Sequence, residues 1–414
     1  MSSNDFASKL DRLAQIAVRV GLNLQPGQEL VMTAPVEALE LTRKITEQAY
    51  KAGASLVTTL FNDDAATLAR FQYAPESSFD KAPAWLYQAM AEAYRSGAAR
   101  LAISGQNPGL LRGQNPEHVA RASKAQAIAY QPALELITRF HVNWTIVSYA
   151  TPSWARTVFP DDPEDVAVSK LWEAIFRASR VDGDDPVAAW EAHNRRLKER
   201  VDFLNARRYQ ALHFRGPGTD LRVGLAEGHL WVGGRSPAKN GVACNPNIPT
   251  EEVFTTPHKD RIEGYVSSSK PLSHQGSLID GIRVRFEGGR IVEASARQGE
   301  EILRKLLESD EGARSLGEVA LVPHSSPIAQ MGVLFYNTLF DENAASHIAL
   351  GQAYSECMVD GDRLSPEELA ARGANSSLIH VDWMIGSNEM DVDGLTHSGT
   401  LEPLMRSGEW AFSV

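Results

Sequence analysis

Short apolar runs alternating with amphipathic stretches organise the first half of this chain. Residues 30–33 read as a strand, and Leu41, Ile45 and Ala49 then recur every fourth position, which predicts one buried helix face. Gly53 is placed to end that helix, and residues 56–60 read as the next strand. Residues 101–104 and 144–149 predict two further strands with helical patterns between them. Strands alternating with helices imply a parallel sheet covered by helices on both faces, because each crossover has to lie on a face. Ahead of this array, Phe6, Leu10, Leu13, Ala17 and Val20 share one side of an amphipathic helix interrupted by Lys9, Asp11 and Arg12.

A polar break at residues 182–185 changes the pattern, and Pro186 suits the first turn of a new helix. Trp190, Leu197, Val201 and Leu204 share its apolar face, while Arg195, Arg196, Lys198 and Glu199 face solvent. Beyond it, closely spaced strands with glycine turns take over. Residues 282–286 and 290–296 flank Gly288-Gly289 as a hairpin, and residues 300–307 follow as a helix. The expected architecture is α/β: an N-terminal parallel-sheet domain with flanking helices over 1–185, a connector helix over 186–208, and a C-terminal α+β domain over 209–414. No internal repeat or low-complexity segment is present.

Composition narrows the possibilities. A chain of 414 residues, 43% hydrophobic, can bury two cores. Its 41 basic and 52 acidic residues give a formal charge of −11 without a basic stripe, which argues against a nucleic-acid partner. Cys244 and Cys357 are too few for a disulfide framework or a thiolate zinc site. No apolar run is long enough to span a bilayer and the N-terminus does not read as an export signal, so the expected compartment is the cytoplasm.

The candidate chemistry lies in the second half. Glu251, Glu318, His347, His380 and Asp382 offer oxygen and nitrogen donors that suit divalent zinc, cobalt, manganese or magnesium. His380 and Asp382 follow an apolar run that reads as a strand, where residues two apart project from one face. Taken alone, such a pair is more often a hydrogen-bonded couple than a metal site. His347 and Tyr354 lie two helical turns apart and would share a face if that segment were helical, although Gly351 weighs against a helix. Glu251 and Glu252 are adjacent in an extended stretch, so only one can face a given ion, and which is ligand and which is base stays open. Glu342 is either a further ligand or a partner that orients His347. Glu389, Asp391, Asp393 and Gly394 imitate the start of a calcium loop, but Thr400 stands where its closing glutamate belongs, and the segment reads as a turn. No His-Glu-x-x-His helix, phosphate loop or Gly-x-Ser-x-Gly elbow is present.

Four stretches in one order resemble the thermophilic aminopeptidases, the aminopeptidase T/S/II family. They are NIPTEEVFTTP (247–257), LGEVALVPHSSPI (316–328), FDENAASHIALGQAY (340–354) and IHVDWMIGS (379–387), with weaker similarity through GPGTDLRVGL (216–225) and the N-terminal half. The resemblance implies two divalent ions held by Glu251, Glu318, His347, His380 and Asp382, with Glu342 a further candidate ligand. Tyr354 would stand near the reacting carbonyl, and Glu251 or Glu252 would act as the base. It further implies small peptide substrates and a cytoplasmic homodimer. A metal-dependent amidohydrolase acting on a non-peptide amide and a non-catalytic, metal-containing peptide-binding protein are the rival expectations.

Overall fold

The computed structural model describes residues 3–274 and 277–413. The chain divides into two compact units: Met1–Ala192 with Arg235–Pro249, and His193–Gly234 with Thr250–Val414.

The first unit is built on a four-stranded sheet in the order Leu56–Asn62, Glu29–Pro35, Ala99–Ser104, Trp144–Ser148, with every pair parallel. Helices Leu39–Lys51, Ala84–Arg95 and Pro116–Thr138 fall between successive strands. The expected parallel sheet with flanking helices is therefore present. Leu41, Ile45 and Ala49 are fully buried, as a four-residue repeat on a core-facing helix requires. The N-terminal helix Ser3–Ile16 continues into a wider turn at Ala17–Leu22, and Phe6 packs edge-on against Trp172.

Helix Pro186–Arg207 begins in the first unit and runs into the second. Its later apolar positions, Leu197 and Leu204, belong to the core of the second unit. An antiparallel eight-stranded sheet there runs from Arg290–Ser295 through Pro257–Ser267 and Asp391–Leu395 to Glu409–Trp410. The hairpin at Gly288-Gly289 pairs Glu287 with Arg290, as expected. The segment that imitates a calcium loop is a strand of this sheet, not a turn. Buried Asp393 is held there between the guanidinium groups of Arg215 and Arg406, so its carboxylate is already matched.

A second antiparallel sheet positions the candidate chemistry. Its order is His380–Met384, His347–Gly351, Leu316–Leu321, Val253–Thr255. Residues 347–351 are thus a central strand and not a helix. Gly351 explains why: its φ of +100° is foreign to a helix, and a Cβ there would stand 2.1 Å from the Ile379 carbonyl oxygen.

Candidate metal centre

Strand register brings four of the candidates to one face. Ala349 pairs with Glu318 on one side and with Asp382 on the other. His347 lies two residues before Ala349, and His380 pairs with Gly351. Directly opposed residues in an antiparallel pair project to the same side, as do residues two apart. Glu318, His347, His380 and Asp382 therefore stand around the small side chain of Ala349.

Two groups of donors result. Glu252, Glu318 and His347 offer one ligand atom each, all within 4.8 Å of one another, and Glu318, His380 and Asp382 do the same. Glu318 belongs to both. Its Oε1 lies 3.3 Å from His347 Nε2 and its Oε2 lies 3.8 Å from His380 Nε2. His347 Nε2 is 3.1 Å from Glu252 Oε2, and His380 Nε2 is 3.3 Å from Asp382 Oδ1. Both rings are oriented from behind, by Nδ1 against the Ala345 carbonyl at 3.1 Å and against the Gln352 carbonyl at 2.7 Å. That arrangement keeps a proton on Nδ1 and turns each Nε2 into the cluster, where it can bind a cation in exchange for its own proton.

Of the two adjacent glutamates, Glu252 joins the cluster. Glu251 turns instead towards buried His193, with Oε2 3.8 Å from Nε2, and His193 Nε2 also lies 2.8 Å from the Thr250 carbonyl. His193 went unnoticed in the sequence because it sits among the charged residues of a helix that reads as largely solvated. Glu342 lies outside both triads but feels them. Burial, then the negative charges of Glu252 and Asp382, push its carboxyl well above the ordinary range. Tyr354 follows the central strand, and its ring stands 4.6 Å from that of His380 between centroids. Burial, then Glu318, Asp382 and Glu342, hold the phenol well above its ordinary value, so it remains a hydrogen-bond donor.

The remaining electrostatics describe a site short of positive charge. Burial raises Glu318. Burial works to lower His380, but Asp382 and Glu318 outweigh it and lift the imidazole to about 9. His347 is likewise raised against its burial, by Glu252 and Glu318. No Lys or Arg forms an ion pair with Glu252, Glu318, Glu342 or Asp382 among the described residues. Glu252 Oε2, His347 Nε2 and Asp382 Oδ1 are buried without a hydrogen-bond partner among the described residues. Leaving such atoms unmatched costs about 1–3 kcal/mol each, and more where charge is involved. Buried, convergent oxygen and nitrogen donors of this kind fit divalent cations.

Comparison with known proteins agrees with that chemistry. Residues 6–410 match the family described as thermophilic metalloprotease (M29). Aminopeptidase T of Thermus thermophilus is 60% identical over 405 residues, covering 98% of this chain and 99% of that protein. Aminopeptidase 2 of Geobacillus stearothermophilus is 49% identical over 411 residues, covering 99% of this chain and all of its own. The solved structure of wild-type AmpT from Thermus thermophilus superposes with a TM-score of 0.94 at 59% identity, covering 98% of this chain and 100% of that one. The chain belongs to the thermophilic metalloprotease family, M29.

Proposed function

We propose that this protein is a metal-dependent aminopeptidase that releases N-terminal residues from small peptides, using two divalent ions. The observation that carries the two-ion reading is the Glu318 carboxylate, one oxygen of which faces each imidazole. Glu252, Glu318 and His347 would hold one ion, and Glu318, His380 and Asp382 the other. Ions so held supply Lewis-acid polarisation and lower the pKa of a water molecule.

The protein's own groups do the rest. Glu342 belongs to neither triad but feels Glu252 and Asp382, and positive ions bound beside those groups would offset the shift and favour its carboxylate, which would then take a proton from water and return it to the leaving amine. Tyr354 donates its phenolic proton to the developing oxyanion, an interaction that strengthens in the transition state. Glu251, turned to His193, anchors the segment that presents Glu252. A site rich in carboxylates also favours a substrate with a free α-ammonium group, which accounts for exopeptidase action.

The activity relatives supply the class of reaction, and zinc, cobalt, manganese and magnesium are the ions to compare. The expected outcome is cleavage of unblocked leucyl anilide but not its N-acetylated form, abolished by chelation and restored by one of these ions added back. Preference for acetylated or cyclic amides, or peptides bound and left uncut, would overturn the proposal. We also propose a cytoplasmic homodimer. Two cysteines in 414 residues suit a compartment in which disulfide frameworks are rare, and sedimentation at low protein concentration tests the dimer. No helix among the described residues is long and apolar enough to cross a membrane.

A further inference from the structure

Asn343 ties together the segments that carry Glu252, Glu342 and Glu318. Its side chain is fully buried. Oδ1 accepts the Glu251 N–H at 2.6 Å, one residue before Glu252. Nδ2 donates to the Leu339 carbonyl at 2.9 Å and to Glu342 Oε1 at 3.4 Å. The Asn343 carbonyl accepts the Ser326 hydroxyl at 3.0 Å, in the stretch that follows the Glu318 strand. Both ends of the amide thus meet complementary partners, which fixes which end is oxygen and which is nitrogen.

The sheet explains why such a tie is needed. Glu318, His347, His380 and Asp382 lie on neighbouring paired strands, so ladder hydrogen bonds fix their spacing. Glu252 precedes the strand Val253–Thr255, and Glu342 stands on the single turn Glu342–Ala344 outside the sheet. Strand pairing reaches only to Val253, opposite Leu321 and one residue after Glu252, and it does not include Glu342. We propose that Asn343 is a positioning residue that sets Glu252 against the Glu318–His347 pair and Glu342 against Glu252, and so governs one of the two ion positions. This rests on the two-ion reading. The Glu318–His380–Asp382 triad, held by the sheet, is independent of Asn343.

Titration of metal-free protein with zinc and with cobalt tests it, alongside thermal melts and kinetics. Wild type is expected to bind two ions. Asn343→Ala is expected to weaken one of them about 10- to 100-fold, the usual cost of losing a group that orients a ligand, and to leave the other unchanged. Its kcat falls more than its KM rises, because Glu342 is displaced from its working position. Ser326→Ala, which removes only the hydroxyl behind Asn343, is expected to weaken the same ion by less, and it carries the test if Asn343→Ala fails to fold. Equal weakening of both ions together with a lowered melting temperature would assign Asn343 to the fold alone and overturn the inference, as would two unchanged affinities. A wild-type protein that binds a single ion overturns the two-ion reading itself, a failure visible before any variant is made.

Discussion

At the scale of single residues, one backbone step separates the proposed ligand Glu252 from the proposed anchor Glu251. Glu251 and Glu252 have the same chemistry and adjacent positions, which is why the sequence narrowed the choice to one of two and could not make it. The extended backbone sends them to opposite sides, and Glu252 is the one that meets Glu318 and His347. Glu252→Gln is therefore expected to lose one ion, whereas Glu251→Gln keeps both, as measured by metal content after dialysis. Glu342→Gln should behave in a third way, retaining both ions while kcat drops about 10²- to 10⁴-fold, the usual contribution of a positioned acid-base group. Loss of an ion in Glu342→Gln would make it a ligand and remove it as the proton carrier. Ala349 supplies the complementary test. It pairs with both Glu318 and Asp382, so a longer side chain would occupy the space their carboxylates share. Ala349→Leu is expected to abolish metal binding and to cost about 1–3 kcal/mol of stability from overpacking. Full metal occupancy in that variant would mean the register does not define the site.

At the scale of elements, the His-x-Asp spacing of residues 380 and 382 was readable as a strand because period two leaves no other way to aim both heads together. The strand at 347–351 was less legible. His347 and Tyr354 also match a helical spacing, and that solution is excluded by the pairing of 347–351 with strands on both sides, together with the positive φ of Gly351. The start of the 380–384 strand depends on a group that no pattern reveals. Asp310 accepts the Leu378 N–H, the Ser377 hydroxyl and the Ala313 N–H, and it is the capping carboxylate of the turn that leads to His380. Burial acts to raise its pKa, but these hydrogen bonds more than offset that and hold it below the ordinary 3.8. A carboxyl whose folded pKa is depressed stabilises the fold above its unfolded pKa, and that contribution disappears as pH falls through the folded value. Asp310→Asn is therefore expected to unfold at lower urea than wild type at pH 7. The difference should shrink below about pH 4, where the unfolded carboxyl of the wild type takes up its proton. A gap between the two proteins that stays constant down to pH 2 would show that the charge of Asp310 contributes nothing.

At the scale of the whole molecule, alternating strands and helices made the parallel sheet of the first unit legible, because each element there buries a periodic face. The path of the chain was not legible. Arg235–Pro249 returns to the first unit, and the second unit starts at His193, inside a helix. A short polar stretch containing Pro237 and Pro246 shows no periodicity to reveal where it packs, and a continuous helix shows no break at which one core gives way to another. The helix pattern did reveal Leu197 and Leu204 as one apolar face, and both are fully buried in the core of the second unit. A fragment of residues 209–413 keeps every candidate ligand but loses these two side chains. Removing a single buried leucine side chain typically costs about 2–5 kcal/mol, against a total stability of about 5–15 kcal/mol for a domain. The fragment also loses His193, whose ring contacts the Thr250 carbonyl two residues before Glu252. It is therefore expected to show no cooperative thermal transition and no high-affinity metal binding. Added zinc should not rescue it, because the free energy of metal binding would be consumed in replacing the packing that the helix supplied. A cooperative melt together with tight metal binding by that fragment would mean that the helix connects the units without supporting the site.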